Sequence, residues 1–270
     1  MDPAAPQNPS LQTAFAKLKH VKSWMGSTFR RGLKGKPWWK KILVLTIWFA
    51  SFFIVFSILV TLAFAVLPVP VTPLMIIRSG QQMVYGKELV LKKDWVSGSA
   101  ISSHFKLAVI CAEDQNFLDH NGFDLGAIKK ALDHNKRSRR KRGASTISQQ
   151  TAKNVFLWPG RSWVRKGLEV WFTGLIELLW SKKRIMTVYL NIVELGPGVY
   201  GAEAAAQQYF KKPANKLGPS EAALLAAVLP SPLRYSVKKP GPFVQRRQQW
   251  VMRQMRMFGG ISYLNTQPNW

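Results

Sequence analysis

Cysteine occurs once, as Cys111, which excludes an internal disulfide and any site assembled from several cysteines. Acid is scarce too: 13 Asp and Glu face 39 Lys and Arg, a formal charge of +26. An excess of that size asks for an anionic partner, whether nucleic acid, phospholipid headgroups or a phosphorylated substrate. It falls in two places, because residues 1–41 hold nine Lys and Arg against the single acid Asp2 and the remainder is spread over the rest of the chain. No Gly-Lys-Ser/Thr phosphate loop and no internal repeat is present.

Charge is missing altogether from the 26 residues Ile42 to Leu67. At about 1.5 Å per helical residue such a run outspans a hydrocarbon core of roughly 30 Å. A buried core helix rarely goes so long without a charge, and a cleaved signal, although Ala63-Phe64-Ala65 resembles its cleavage site, has an apolar stretch of only about 7–15 residues. A single retained transmembrane helix is therefore expected. The basic flank places the N-terminus in the cytoplasm, with Trp38 and Trp39 at the interface. Everything after Leu67 then lies outside, which disfavours nucleic acid as the partner.

The expected organisation is a basic cytoplasmic tail (1–41), the membrane helix (42–67), a Pro-rich linker (68–73), a folded domain (74–260) and a C-terminal tail (261–270). Residues 74–100 mix β-branched residues with Gly and suggest a short strand pair. From Ile101 onward apolar residues recur at helical spacing with Gly or Pro between them, so the domain is mainly α.

Three segments carry candidate chemistry. Helical spacing from Ala112 puts Glu113, Phe117 and His120 on one face, with Gly122 as the stop. A carboxylate beside a ring loses solvation and gains proton affinity, as a general base requires, although an ordinary amphipathic helix end fits the segment equally well. In Gly143 to Asn154, Ser145 or Thr146 can cap a helix on which Thr146, Gln150 and Lys153 share a face suited to phosphate. The same stretch also fits a capped polar surface helix. Arg165 and Glu169 stand four apart, usually a surface ion pair, and Lys182 to Arg184 add cations before the loop Gly196-Pro197-Gly198-Val199-Tyr200-Gly201, which holds more Gly than passive packing needs. Lys136 to Arg142, six Lys or Arg in seven positions, fits either a headgroup-facing segment or a solvated loop.

In order and spacing these segments resemble the family-51 peptidoglycan glycosyltransferases. The motifs are Glu-Asp-x-x-Phe-x-x-His-x-Gly, Gly-x-Ser-Thr-x-x-Gln-Gln-x-x-Lys-Asn, Arg-Lys-x-x-Glu, Ile-x-x-x-Tyr-Leu-Asn and the late Glu221 to Ala227 helix, between about residues 101 and 236. The glycine-rich loop and the short chain are similar to the monofunctional branch. Thr187, where a Glu is frequent, and Lys211, where a Gly is frequent, depart from the family pattern outside the chemical motifs. No set of Ser-x-x-Lys, Ser-x-Asn and Lys-Thr-Gly motifs is present, so no transpeptidase is expected.

The resemblance implies a lysozyme-like, two-lobed fold on the membrane helix and polymerisation of lipid II with inversion at the anomeric carbon. Glu113 would be the base and Glu169 the second carboxylate, orienting a cation. Asp114, Phe117 and His120 would shape the site, and Ser145, Thr146, Gln149, Gln150 and Asn154 would bind the donor. Arg184 would be a further substrate-binding residue, and Lys153, Arg165 and Lys166 would meet the donor's pyrophosphate. No metal ligand is assigned, and a divalent cation, Mg2+ or Mn2+, is a candidate there. The implied partners are lipid II, the growing glycan strand, membrane phospholipids and division or elongation proteins, and the implied location is the bacterial inner membrane with a periplasmic domain. Two other readings stay open: a lytic enzyme that cleaves finished glycan and a tethered polyanion-binding adaptor.

Overall fold

The computed structural model describes residues 37–86, 88–138, 143–268 and 270, together with positions 13, 16 and 35. The described residues fall into two compact units that divide between Leu59 and Val60. Helix α1 (Trp38–Val66) is 29 residues long, and only 6% of its most apolar stretch is buried. Its large side chains stay bare, Phe49 at 74% and Phe52 at 63% exposure. A soluble core helix would cover them, so α1 is long and apolar enough to cross a membrane and is not packed as a core helix is. It starts four residues before the charge-free run, because Trp38 to Lys41 continue the same helix.

The strand pair expected within 74–100 does not form. Thr72 accepts from the Met75 backbone N–H at 3.3 Å and Pro73 occupies the first turn, so the segment starts a helix, α2 (Pro73–Val84), with Met75 fully buried. Only β1 (Lys92–Lys93) is extended, and its partner is remote: it lies parallel to β3 (Val199–Tyr200), which also pairs antiparallel with β2 (Glu194–Gly196). The glycine-rich loop is the β2–β3 turn, and its glycines answer to packing. Gly198 has φ +70 and a Cβ there would stand 2.2 Å from the Val90 carbonyl oxygen, while Gly201, at φ +84, would meet the Asn191 oxygen at 2.6 Å.

Helix α3 (Ser103–Glu113) is apolar almost all round, with Phe105 and Leu107 to Cys111 buried, and therefore runs through the core. Its Ser102 cap accepts from His104 N–H and donates to the Leu217 carbonyl. Two helices flank it: the alanine-rich α9 (Pro219–Val228), whose small side chains permit close approach, and α10 (Pro242–Met257). Next in the chain after α3, α4 (Leu125–Arg137) is capped by Asp124, whose side chain accepts from the Ala127 N–H. A second group comprises α5 (Ile147–Phe156), α6 (Trp163–Leu179) and α7 (Lys182–Ile192), followed by α8 (Ala202–Phe210) and, at the C-terminus, α11 (Ser262–Thr266). The domain is mainly helical, as expected. The run from Arg139 to Arg142, most of the basic cluster, lies outside the described residues.

The last turns of α1, which belong to the Val60–Trp270 unit, are tied to the second helix group. Trp180 Nε1 donates to the Thr61 carbonyl at 2.8 Å, and Phe64 lies against Phe156, itself stacked on Phe172 at 4.3 Å. Arg184 donates to the Phe64 carbonyl at 2.7 Å and to the Leu67 carbonyl, filling orphan acceptors at the helix end.

Candidate active site

Glu113 is the last residue of α3, and its carboxylate stands where the two helix groups meet. Gln150 Nε2, from α5, donates to Oε2 at 2.9 Å, and Arg247 Nη2, from α10, donates to Oε1 at 3.2 Å. Burial raises its pKa above the usual carboxylate range, while the Gln150 bond and the Arg247 charge pull the other way. The group still reaches open space: Glu113 lines a cavity of about 330 Å³ with Asp114, Lys130 and Ser145, and one of about 790 Å³ with Gln150, Phe243 and Trp250.

The shared face expected of Glu113, Phe117 and His120 is not helical. Asp114 ends α3 at φ −160, drawn out by bonds across the fold: Oδ2 accepts from the Ile147 N–H at 2.9 Å, and His120 Nε2 approaches Oδ1 at 3.0 Å. Gly122 N–H donates to His120 Nδ1 at 3.1 Å, so the imidazole proton sits on Nε2 and points at Asp114. Phe117, wholly buried, meets the His120 ring edge-on and carries the Lys182 ammonium 4.8 Å over its face. Lys182 also donates to Glu177 at 2.9 Å and to the His120 carbonyl, and Ser148 donates to the same Glu177 oxygen. This turn is braced by a polar network that sequence reasoning missed.

On α5, Thr146 is the cap. Its hydroxyl accepts from Gln149 N–H and donates to the Gly122 carbonyl at 2.7 Å, and Gln149 Oε1 accepts from Thr146 N–H. Both side chains are buried and committed to this capping box, so they hold the helix rather than face a ligand. Ser145 is exposed on both cavities. Gln150 spends its amide on Glu113 and accepts from the Tyr189 hydroxyl at 3.1 Å. Asn154 is half-buried further along α5.

The Arg165–Glu169 pair is buried, unlike the surface pair its spacing suggests. Glu169 accepts from Arg165 at 2.7 Å and from Lys166 at 2.6 Å. Lys153 adds a third cation: burial lowers its pKa, the Glu169 charge raises it, Arg165 and Lys166 lower it, and Glu113 raises it again. Three cations against one carboxylate form a net positive cluster whose chemistry suits an oxyanion. Arg165 Nε is buried with no hydrogen-bond partner. A protein-built divalent cation site does not fit here, since both Glu169 oxygens already hold cations and, among the described residues, no three His, Cys, Asp or Glu side chains converge.

Arg184 is not brought to this cluster; its guanidinium is engaged with the end of α1 and lies 5.4 Å over the Trp95 ring. Two residues that do reach Glu113 or its partner went unassigned from sequence. Tyr189 stood inside the Tyr-Leu-Asn motif, whereas Arg247, 134 positions after Glu113, carries no local signature. The Asn191 of that motif is a brace, exchanging hydrogen bonds with the Val96 N–H and carbonyl.

Residues 81–256 match the family model described as Transglycosylase. A protein of Yersinia pseudotuberculosis serotype IB (strain PB1/+) named "Biosynthetic peptidoglycan transglycosylase" is 54% identical over 240 residues, covering 87% of this chain and 96% of its own. Its namesake in Yersinia pestis (strain Pestoides F) is 53% identical over the same extent.

Proposed function

The chain belongs to the transglycosylase family, and from that premise we propose that Glu113 is the general base with which it polymerises peptidoglycan glycan chains. The enzyme is a glycosyltransferase whose substrates are lipid II and the growing glycan strand. The observation that carries the assignment of Glu113 is the junction itself: a buried carboxylate of raised pKa opens onto two cavities, and Lys153 on the neighbouring helix senses both Glu113 and Glu169.

In this reading Glu113 takes the proton of the GlcNAc 4-hydroxyl of lipid II. That oxygen bonds to the anomeric carbon of the donor MurNAc as the bond from carbon to phosphate oxygen breaks. The electron pair leaves with the polyprenyl diphosphate, and a single displacement inverts the centre. Such a leaving group needs charge stabilisation more than a proton, which Lys153, Arg165 and Lys166 supply. Glu169 holds Arg165 and Lys166 in place, and the Asp114–His120 pair fixes the turn that follows the base. The buried cation cluster has no task in cleaving finished glycan, and an adaptor needs no buried carboxylate at a cavity, so neither rival reading is favoured. The domain from 74 to 260 sits outside the inner membrane, the basic residues before α1 keeping the N-terminus in the cytoplasm.

Glu113→Gln tests the assignment with purified protein and lipid II. Polymer formation should fall by roughly 10²–10⁴-fold, the usual contribution of a positioned base. Polymer made at near wild-type rate would overturn it.

A further inference from the structure

We propose that Arg247, together with Tyr189 acting through Gln150, positions the Glu113 carboxylate for proton transfer. This rests on Glu113 being the base and adds residues from two helices remote in sequence, α7 and α10.

Arg247 is tied to the end of α3 in two ways. Nη2 donates to Glu113 Oε1 at 3.2 Å and to the Ala112 carbonyl at 3.1 Å, so the guanidinium stays in place whichever way the carboxylate turns. The second oxygen is held by Gln150, an amide that can be flipped end for end with little change of shape. Tyr189 removes that freedom. Its side chain is fully buried and shut off from bulk solvent, and its hydroxyl donates to Gln150 Oε1 at 3.1 Å. The Gln150 NH2 must then face Glu113, to which it donates at 2.9 Å. Each carboxylate oxygen receives one donor, about half of the four lone-pair sites, and the rest remain for the acceptor hydroxyl.

Charge completes the device. The ionisable groups facing Glu113 are Asp114 beside it, Lys153 on α5, Tyr189 on α7 and Arg247 on α10. Arg247 alone touches it, and its charge opposes the burial and Asp114 effects that favour the protonated, non-basic form. The guanidinium carbon of Arg247 also lies over the Trp250 ring, 5.9 Å from its centre, which restricts its swing.

The test is the pH dependence of lipid II polymerisation by the full-length protein in detergent, with KM and kcat separated. Arg247→Gln should move the acid limb upward by about 1–3 pH units, the size of a lost neighbouring charge, with KM changed less than about twofold. Arg247→Lys keeps the charge but loses the planar fork, so kcat should drop while the limb stays. Tyr189→Phe should lower kcat at every pH with the limb unmoved. An unmoved limb in Arg247→Gln with a raised KM would overturn the proposal and make Arg247 a substrate-binding residue. Should Arg247→Gln melt below the assay temperature, Arg247→Lys decides: raised KM at unchanged kcat counts against positioning. The two assignments fail separately, because an active Glu113→Gln variant sinks the base itself, whereas an inactive one beside an unmoved Arg247→Gln limb sinks only the positioning.

Discussion

At the residue scale, Glu113 illustrates a conflict between chemistry and stability. Burial raises its proton affinity, so the folded state holds that proton more tightly than the unfolded chain does. The group therefore costs no stability at low pH, and the cost appears as pH rises through the unfolded pKa towards the raised folded one. The penalty grows as the carboxyl ionises in the folded protein, and Glu113→Gln, which keeps the shape without the charge, should relieve it. The expected outcome is an inactive variant that melts higher than wild type, by roughly 2–4 °C if about 1 kcal/mol is recovered in a domain of this size. Thermal melting at pH 7 and again near pH 4 checks it, because the difference should shrink on acidification; a variant that melts lower at pH 7 would contradict it. Glu113 itself was legible as a candidate from its neighbours in the chain. Arg247 was not, since a single Arg in a basic helix looks like any solvated cation until the fold sets it against a carboxylate.

At the scale of elements, α5 shows how local rules and long-range bonds combine. Thr146 and Gln149 form a reciprocal cap that the spacing of the segment announces, but the same Thr hydroxyl also reaches Gly122 in the turn after the base. Thr146→Ala should therefore cost about 0.5–2 kcal/mol in urea unfolding, the range of a lost N-cap. It should also lower activity, because the Gly122 turn bears on His120 and thus on Asp114. Conservative Thr146→Ser should restore both, and a stability loss without any loss of activity would show the turn to be independent of the cap. Other elements were misread for clear physical reasons. Residues 74–100 mix β-branched residues with Gly, as a strand pair would, but Thr72-Pro73 starts a helix over the first part of them and the buried Met75 secures it. The β2–β3 turn is rich in Gly because the Val90 and Asn191 backbones crowd it, a constraint set by chain segments distant in sequence.

At the scale of the whole molecule, α1 offers bare apolar side chains along its length, and its final turns, which are part of the Val60–Trp270 unit, are bonded within that unit to Trp180 and Arg184. The intact chain should stay in the membrane pellet through alkaline carbonate washing, which strips proteins held by charge alone. Release into the supernatant would mean that the +26 charge, and not α1, provides the attachment. The charge is put to two uses on this account: basic residues flank the apolar helix, and a compact group of three cations surrounds Glu169 within the fold.

The linear sequence by itself determined the membrane-length helix, the mainly helical class, the need for an anionic partner and the family, because these depend on run length, periodicity, composition and motif spacing, all local quantities. Through the family resemblance it also pointed to Glu113, Lys153, Arg165, Lys166 and Glu169 as candidates for moving a proton and meeting a pyrophosphate. Only the tertiary structure decided which side chains touch. It gave Thr146 and Gln149 to a cap, Arg184 to the end of α1, Asn191 to a brace and Arg247 to the proposed base. The reason is geometric: helical spacing relates residues a turn or two apart, whereas the surroundings of Glu113 are assembled from α3, α5, α7 and α10, whose meeting depends on packing that no short segment encodes.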